Sequence, residues 1–110
     1  MRSYLLDEIS PADIRKIHSF LKKNAVSSRL DQIFLVGIPP DLLNSTQLEH
    51  TDCRPHFFSV ELGNDWVRLE LFVRGQKKIN CACHGYCTAQ QRDYVFNFAH
   101  QMIKRLGITT

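Results

Sequence analysis

The chain has 110 residues, of which 44% are hydrophobic and 23% are charged. These values are typical of one globular domain over residues 1–110 and exclude an intrinsically disordered chain. The net charge of +3 is too small to indicate a dedicated nucleic-acid-binding protein, and no apolar run reaches the ~18 residues that cross a membrane. Acidic residues come too early for a secretory signal, so we expect a cytoplasmic protein with reduced thiols and no membrane partner.

The first predicted element is an amphipathic helix over residues 11–23. Ser10 is the expected N-cap, Pro11 suits the first helical position, and Asp13 places a carboxylate near the positive end of the helix dipole. Apolar side chains then recur at helical spacing, namely Ile14, Ile17, Phe20 and Leu21. This stripe predicts that one face of the helix packs against a core.

A short apolar run over residues 33–38 follows and ends at Pro39-Pro40. Its length and its β-branched and aromatic residues predict a buried strand. Asp41 is placed to cap one short helical turn, but we interpret residues 41–55 as mainly a long connection. Connections of this length in small domains are often functional.

The clearest strand pattern lies between residues 57 and 74, where side chains alternate with a period of two on either side of Asn64-Asp65. This pattern predicts two antiparallel strands joined by a two-residue loop. In that register Glu61 faces Arg68 and Phe57 faces Phe72, and both pairs are favourable across strands.

A third strand is expected over residues 77–83, after a turn at Gly75-Gln76. Ile79, Cys81 and Cys83 would share one face of this strand because side chains at alternate positions point the same way.

The last predicted element is a helix that begins after Thr88. Thr88 and Gln91 fit a capping box, and Gly107 is a natural end for the helix. Its buried stripe comprises Val95, Phe98, Ala99, Met102 and Leu106. The elements together predict an α+β fold in the order α-β-β-β-β-α, a two-layer sandwich whose mainly antiparallel four-stranded sheet carries two long helices on one face.

The segment from Cys81 to Cys87 carries the chemically most specific residues of the chain. We predict a metal site there, with Cys81, Cys83, His84 and Cys87 as ligands and zinc as the preferred ion. Specific binding of zinc is one of three interpretations, and the others are reactive thiols and a purely structural set of small buried side chains.

A second cysteine–histidine pair, Cys53 and His56, lies upstream. The predicted register places Cys53 at the Gly75 end of the central strand, roughly 17–23 Å from the two cysteines of the third strand. A four-cysteine site would therefore require that residues 75–83 do not form a regular strand, and we leave open whether Cys53 and His56 join the cluster.

The reactive-thiol interpretation rests on Cys87, which immediately precedes the N-cap Thr88. A helix N-terminus stabilises a thiolate, so we expect the pKa of Cys87 to be lowered. Cys81 or Cys83 would act as the resolving thiol, and His84 as an acid or base.

The sheet face turned away from the helices is a second candidate surface. It is expected to carry aromatic and arginine side chains, namely Phe57, Trp66, Arg68, Phe72 and Arg74. Such a face suits a homodimer, or less well single-stranded nucleic acid, unless residues 41–55 or a terminus cover it.

The sequence contains no nucleotide-binding glycine loop, no H-E-x-x-H and no nucleophile elbow. The sequence therefore gives little evidence for catalysis and leaves open whether the chain is an enzyme, and we expect a small cytoplasmic accessory domain. Its predicted function is zinc binding or thiol chemistry at residues 81–87, and the alternative is a non-catalytic interaction module that uses the open sheet face.

Overall fold

The computed structural model describes residues 2–77 and 81–110. Three helices lie in these ranges, and they are α1 (Pro11–Asn24), α2 (Ser45–Glu49) and α3 (Ala89–Leu106). The strands are β1 (Ser3–Leu6), β2 (Val26–Ser27), β3 (Ile33–Gly37), β4 (His56–Leu62), β5 (Val67–Glu70), β6 (Phe72–Gly75) and β7 (Gly85–Tyr86). Two short 3₁₀ turns, Pro40–Leu42 and Thr51–Cys53, flank α2.

The sheet is antiparallel, with strand order β1-β5-β4-β3-β2. Strand β6 pairs with the other end of β4, and β7 pairs with β6. The prediction of an α+β fold with an antiparallel sheet is confirmed. The predicted number of four strands is wrong, since seven strands occur in the described ranges. The prediction missed β1, β2 and β7 because these strands are only two to four residues long, too short to show an alternating pattern.

The predicted register of the β4–β5 hairpin is confirmed next to its turn. Glu61 faces Arg68, and the two side chains form an ion pair. Further along the hairpin, Phe57 faces Arg74, so the predicted Phe57–Phe72 pair is wrong.

The shift arises at Leu71, which separates β5 from β6. Its N–H donates to the carbonyl of Arg2, at 3.0 Å, which extends the pairing of β1 with β5 by one residue on the side away from β4. The pairing with β4 stops at Leu69 and resumes at Arg74, with the register shifted by two residues. Because the shift is an even number of residues, every side chain stays on its predicted face.

The predicted third strand over residues 77–83 is wrong where the structure describes it. Residues 81–84 form a turn, in which the N–H of His84 donates to the carbonyl of Cys81 at 3.1 Å. The strand that returns along β6 begins only at Gly85, and Ile79 lies outside the described residues.

Both long helices begin at the predicted caps. Ser10 Oγ accepts from the N–H of Asp13, at 3.1 Å, and Thr88 forms a reciprocal capping box with Gln91. Helix α3 ends at Gly107, whose φ of +68° favours glycine. The predicted cap at Asp41 is wrong, since the turn Pro40–Leu42 has no side-chain cap.

The core lies between the two long helices and the sheet face that carries Phe58, Val60 and Leu62. All three side chains are buried with Ile17 of α1 and Val95 of α3 in one cluster. The ring of Phe58 also meets the rings of Tyr94 and Phe98 of α3. None of the described helices is long and apolar enough to cross a membrane.

Candidate metal centre

Three cysteines from distant parts of the chain meet at one end of the sheet. The sulfur atoms of Cys53, Cys81 and Cys83 all lie within 4.8 Å of one another, and those of Cys53 and Cys81 are 3.3 Å apart. All three are free thiols. Tetrahedral zinc with Zn–S bonds near 2.3 Å sets its sulfurs about 3.8 Å apart. The spacing therefore suits a single zinc ion after small side-chain movements.

Cys53 reaches this place because it packs directly on the end of β6. It ends the 3₁₀ turn Thr51–Cys53, and a Cβ atom added to Gly75 would lie only 2.7 Å from the Cβ atom of Cys53. Only glycine leaves room for this approach. Gly75 thus provides the surface on which Cys53 packs.

Cys81 and Cys83 are held by the turn over residues 81–84. The N–H of Cys83 points at the sulfur of Cys81, at 3.5 Å, and the carbonyl of Cys83 accepts from Gln47 Nε2 at 3.2 Å. Gln47 belongs to α2, so the turn is fixed to the same connection that carries Cys53.

The predicted separation of Cys53 from Cys81 and Cys83 is wrong. That prediction turned the chain at Gly75-Gln76 and carried both cysteines back along the sheet. In the structure, β7 pairs Tyr86 with Phe72 and Gly85 with Val73. Counting outward in this register brings Cys83 level with Gly75, so the cysteines stay at the end of the sheet where Cys53 lies.

The three thiols differ in acidity. The pKa of Cys81 is lowered to about 7, first by the backbone N–H of Cys83 and then by its side chain. Burial raises the pKa of Cys53 and raises that of Cys83 to about 12. At neutral pH the cluster thus offers one thiolate readily, and a bound cation would drive off the remaining protons.

The other two predicted ligands lie outside this group of sulfurs. His84 follows in the same turn, and its Nε2 is buried without a hydrogen-bond partner among the described residues. Cys87 packs against the hydrophobic core, and its N–H donates to the carbonyl of Leu71 at 3.1 Å.

The environment of Cys87 opposes the expected thiolate. Burial, with a smaller contribution from Glu70, raises the pKa of Cys87 to about 11. The expected lowering of the pKa of Cys87 is therefore wrong, because burial disfavours the charged thiolate.

Two further histidines, besides His84, flank the cluster. His56 is 2% exposed, and neither of its ring nitrogens has a partner among the residues that the structure describes. Burial is the main cause that lowers its pKa, so the ring is neutral at pH 7. His50 precedes the turn that ends at Cys53, and its Nδ1 lies 2.6 Å from the carbonyl oxygen of Thr46. The sequence prediction set His50 aside because it placed Cys53 away from the other cysteines, although the spacing His50-x-x-Cys53 joins the two residues.

The open sheet face carries the predicted aromatic and arginine residues, half-buried or exposed. Arg68 pairs with Glu61, and Arg74 with Glu70 at 3.1 Å. These carboxylates neutralise the two arginines, so the face offers little net charge to a phosphate.

Comparisons of this chain with protein-family models, with curated proteins and with solved structures found no match.

Proposed function

We propose that this chain is a zinc-binding domain in which Cys53, Cys81 and Cys83 hold one structural ion. The observation that carries the proposal is the convergence of three sulfurs within 4.8 Å, from segments 28 residues apart. A single buried cysteine is common in a core, but three sulfurs that converge from two segments are the pattern of a thiolate metal site.

Zinc is favoured by the ligand type and number. Thiolates select zinc, copper(I) and iron–sulfur clusters. Iron–sulfur clusters are ordinarily held by four cysteine thiolates, whereas zinc also accepts three thiolates with one nitrogen.

A structural role follows from where the ion would lie. Cys53 and Cys83 are 0% and 2% exposed, and closed sites of this kind stabilise a fold. The ion would link the connection that contains α2 to the turn over residues 81–84. We therefore interpret the chain as an accessory domain whose cluster fixes its shape.

Metal analysis of protein purified without a polyhistidine tag tests this proposal. We expect one zinc ion per chain and a fall in the midpoint of thermal unfolding when a chelator removes it, because metal binding adds directly to folding free energy. Cys53→Ser should abolish both the zinc content and the response to chelator. The proposal would be overturned if the purified protein contained no metal and neither added zinc nor chelator changed the midpoint of its thermal unfolding.

A second candidate function is favoured by the contact between Cys53 and Cys81. Their sulfurs are 3.3 Å apart, and the lowered pKa of Cys81 makes it the attacking thiolate. With oxidised glutathione, Cys81 would form a mixed disulfide and release one glutathione thiol. Cys53 would then displace the second glutathione and close a protein disulfide. If Cys53 and Cys81 are a redox pair, protein that binds no zinc should form this disulfide when it is treated with oxidised glutathione.

Use of the open sheet face for a homodimer, or for single-stranded nucleic acid, stays a prediction. Of these two partners, nucleic acid is the less favoured, because Arg68 and Arg74 are already paired with carboxylates. Sedimentation at several protein concentrations would test the dimer.

A further inference from the structure

A zinc ion on three sulfurs lacks one ligand. Zinc in a structural site is almost always four-coordinate, and closed sites take all four ligands from the protein. The question that remains, if the proposed zinc site is correct, is which side chain supplies the fourth. Three histidines surround the cluster: His50, His56 and His84.

The backbone places His50 beside Cys53. The N–H of Cys53 donates to the carbonyl of His50 at 3.0 Å, which closes one 3₁₀ turn between the two residues. His50 is the N-cap of this turn, so it lies directly before the turn and three residues from Cys53. No histidine nitrogen of the described residues lies within 4.8 Å of all three sulfurs, so side chains must shift to close the site. His50 is also close enough to Cys81 to act on it electrostatically.

The hydrogen bond of His50 fixes which nitrogen is available. A backbone carbonyl can only accept, so the 2.6 Å contact with Thr46 requires that Nδ1 carries the proton. In the neutral ring Nε2 then holds the lone pair. Metal-binding histidines nearly always donate their other N–H to a carbonyl or carboxylate in this way, which sets the tautomer and orients the ring.

The two rival histidines lack this arrangement. Both nitrogens of His56 are buried without partners among the described residues, so a metal on one nitrogen would leave the other buried and unpaired. His84 directly follows Cys83, and its Nε2 is buried without a hydrogen-bond partner among the described residues.

We infer that His50 is the fourth zinc ligand, binding through Nε2 to complete a site with Cys53, Cys81 and Cys83. This inference rests on the proposed zinc site. The connection between β3 and β4 then supplies two ligands, His50 and Cys53, and the turn after β6 supplies the other two.

Cobalt(II) substitution of the purified protein tests the inference, since its visible spectrum reports the ligand set. His50→Ala should weaken zinc binding by more than the roughly 10–100-fold typical of changes outside the ligand shell. His56→Ala and His84→Ala should keep the cobalt spectrum of the wild type, as should the control His100→Ala on α3. Added imidazole should restore the wild-type spectrum of His50→Ala.

A gain-of-ligand variant separates coordination from folding. His50→Cys should keep cobalt bound and raise the thiolate-to-cobalt charge-transfer intensity by roughly one third, as expected for four sulfurs in place of three. Wild-type protein that binds neither zinc nor cobalt would contradict the zinc site itself. Wild-type protein that binds both, while His50→Ala binds equally well or His56→Ala loses the metal instead, would overturn the assignment of His50 alone.

Discussion

The side-chain amide of Gln91 donates to Gln47 Oε1 at 2.8 Å, in the buried space between α3 and α2. Each glutamine is also the third residue of its own helix and completes the capping box there. Gln91 donates in addition to the carbonyl of Leu42, and Gln47 donates to that of Cys83. This single contact joins two helix starts and extends to the cysteine turn.

Replacing Gln91 should therefore destabilise more than one element. Gln91→Ala leaves the Leu42 carbonyl and the Thr88 N–H without side-chain partners, and we expect a loss of about 2 kcal/mol in the free energy of unfolding. Gln90→Ala, at the exposed neighbouring position, is the matched control and should cost less than about 0.5 kcal/mol. Urea denaturation measures both values. Equal stability of the two variants would contradict a role for this contact.

The contact of Gly75 with Cys53 predicts a strong effect of one added methyl group. In Gly75→Ala the new Cβ atom would lie 2.7 Å from the Cys53 Cβ atom and 2.9 Å from its carbonyl oxygen. We expect a cost of about 1–3 kcal/mol and weaker zinc binding, because Cys53 must move away from the other sulfurs. Gly37→Ala is the control, since nothing lies within 4 Å of its added Cβ atom. Thermal unfolding and a zinc titration of both variants check the prediction, and a Gly75→Ala protein that binds zinc normally would refute it.

Two serine variants distinguish the structural ligand set from the one predicted from sequence. Cys53→Ser should lose zinc, whereas Cys87→Ser should keep one ion per chain because Cys87 lies outside the group of three sulfurs. Mass spectrometry of the intact protein under native conditions gives the stoichiometry. Loss of zinc in Cys87→Ser, with retention in Cys53→Ser, would support the set Cys81, Cys83, His84 and Cys87 instead.

Alkylation of the metal-free protein should single out Cys81. Thiolate forms as pH rises through the pKa, so Cys81 should gain reactivity around pH 7, whereas Cys87, with a pKa of about 11, stays protonated. At pH 7 the thiolate fractions differ by roughly 5,000-fold, and the greater nucleophilicity of a more basic thiolate reduces the rate ratio to the order of 100-fold. Peptide mapping after a short exposure to iodoacetamide measures the order of labelling. Faster labelling of Cys87 would contradict these acidities, and zinc should protect Cys81.

Much of the fold could be predicted because its signals are local. The cap at Ser10, the capping box at Thr88 and the alternation of β4 and β5 each depend on neighbouring residues. The register shift at Leu71 could not be predicted, since it depends on how β6 pairs with β4, and strand pairing leaves no local pattern in the sequence.

The ligand set of the candidate site was predicted wrongly because Gly75 is compatible with two structural roles. Gly75 followed by Gln76 is typical of a turn, and this interpretation moved Cys81 and Cys83 away from Cys53. A glycine inside a strand also marks a close approach of other atoms. Gly75 fulfils that second role, and only the packed structure shows that the approaching atoms belong to Cys53.

The shortness of α2 has a consequence for the order in which the molecule folds. A helix of five residues cannot persist alone in water, because nucleation costs more than so few hydrogen bonds return. The partners of Gln47 outside its own capping box, Gln91 and the carbonyl of Cys83, are present only when α3 and the turn at Cys83 are already in place. The segment from Asn44 to Cys53 should therefore be among the last to become ordered, and the nascent chain would capture its ion after the core has formed.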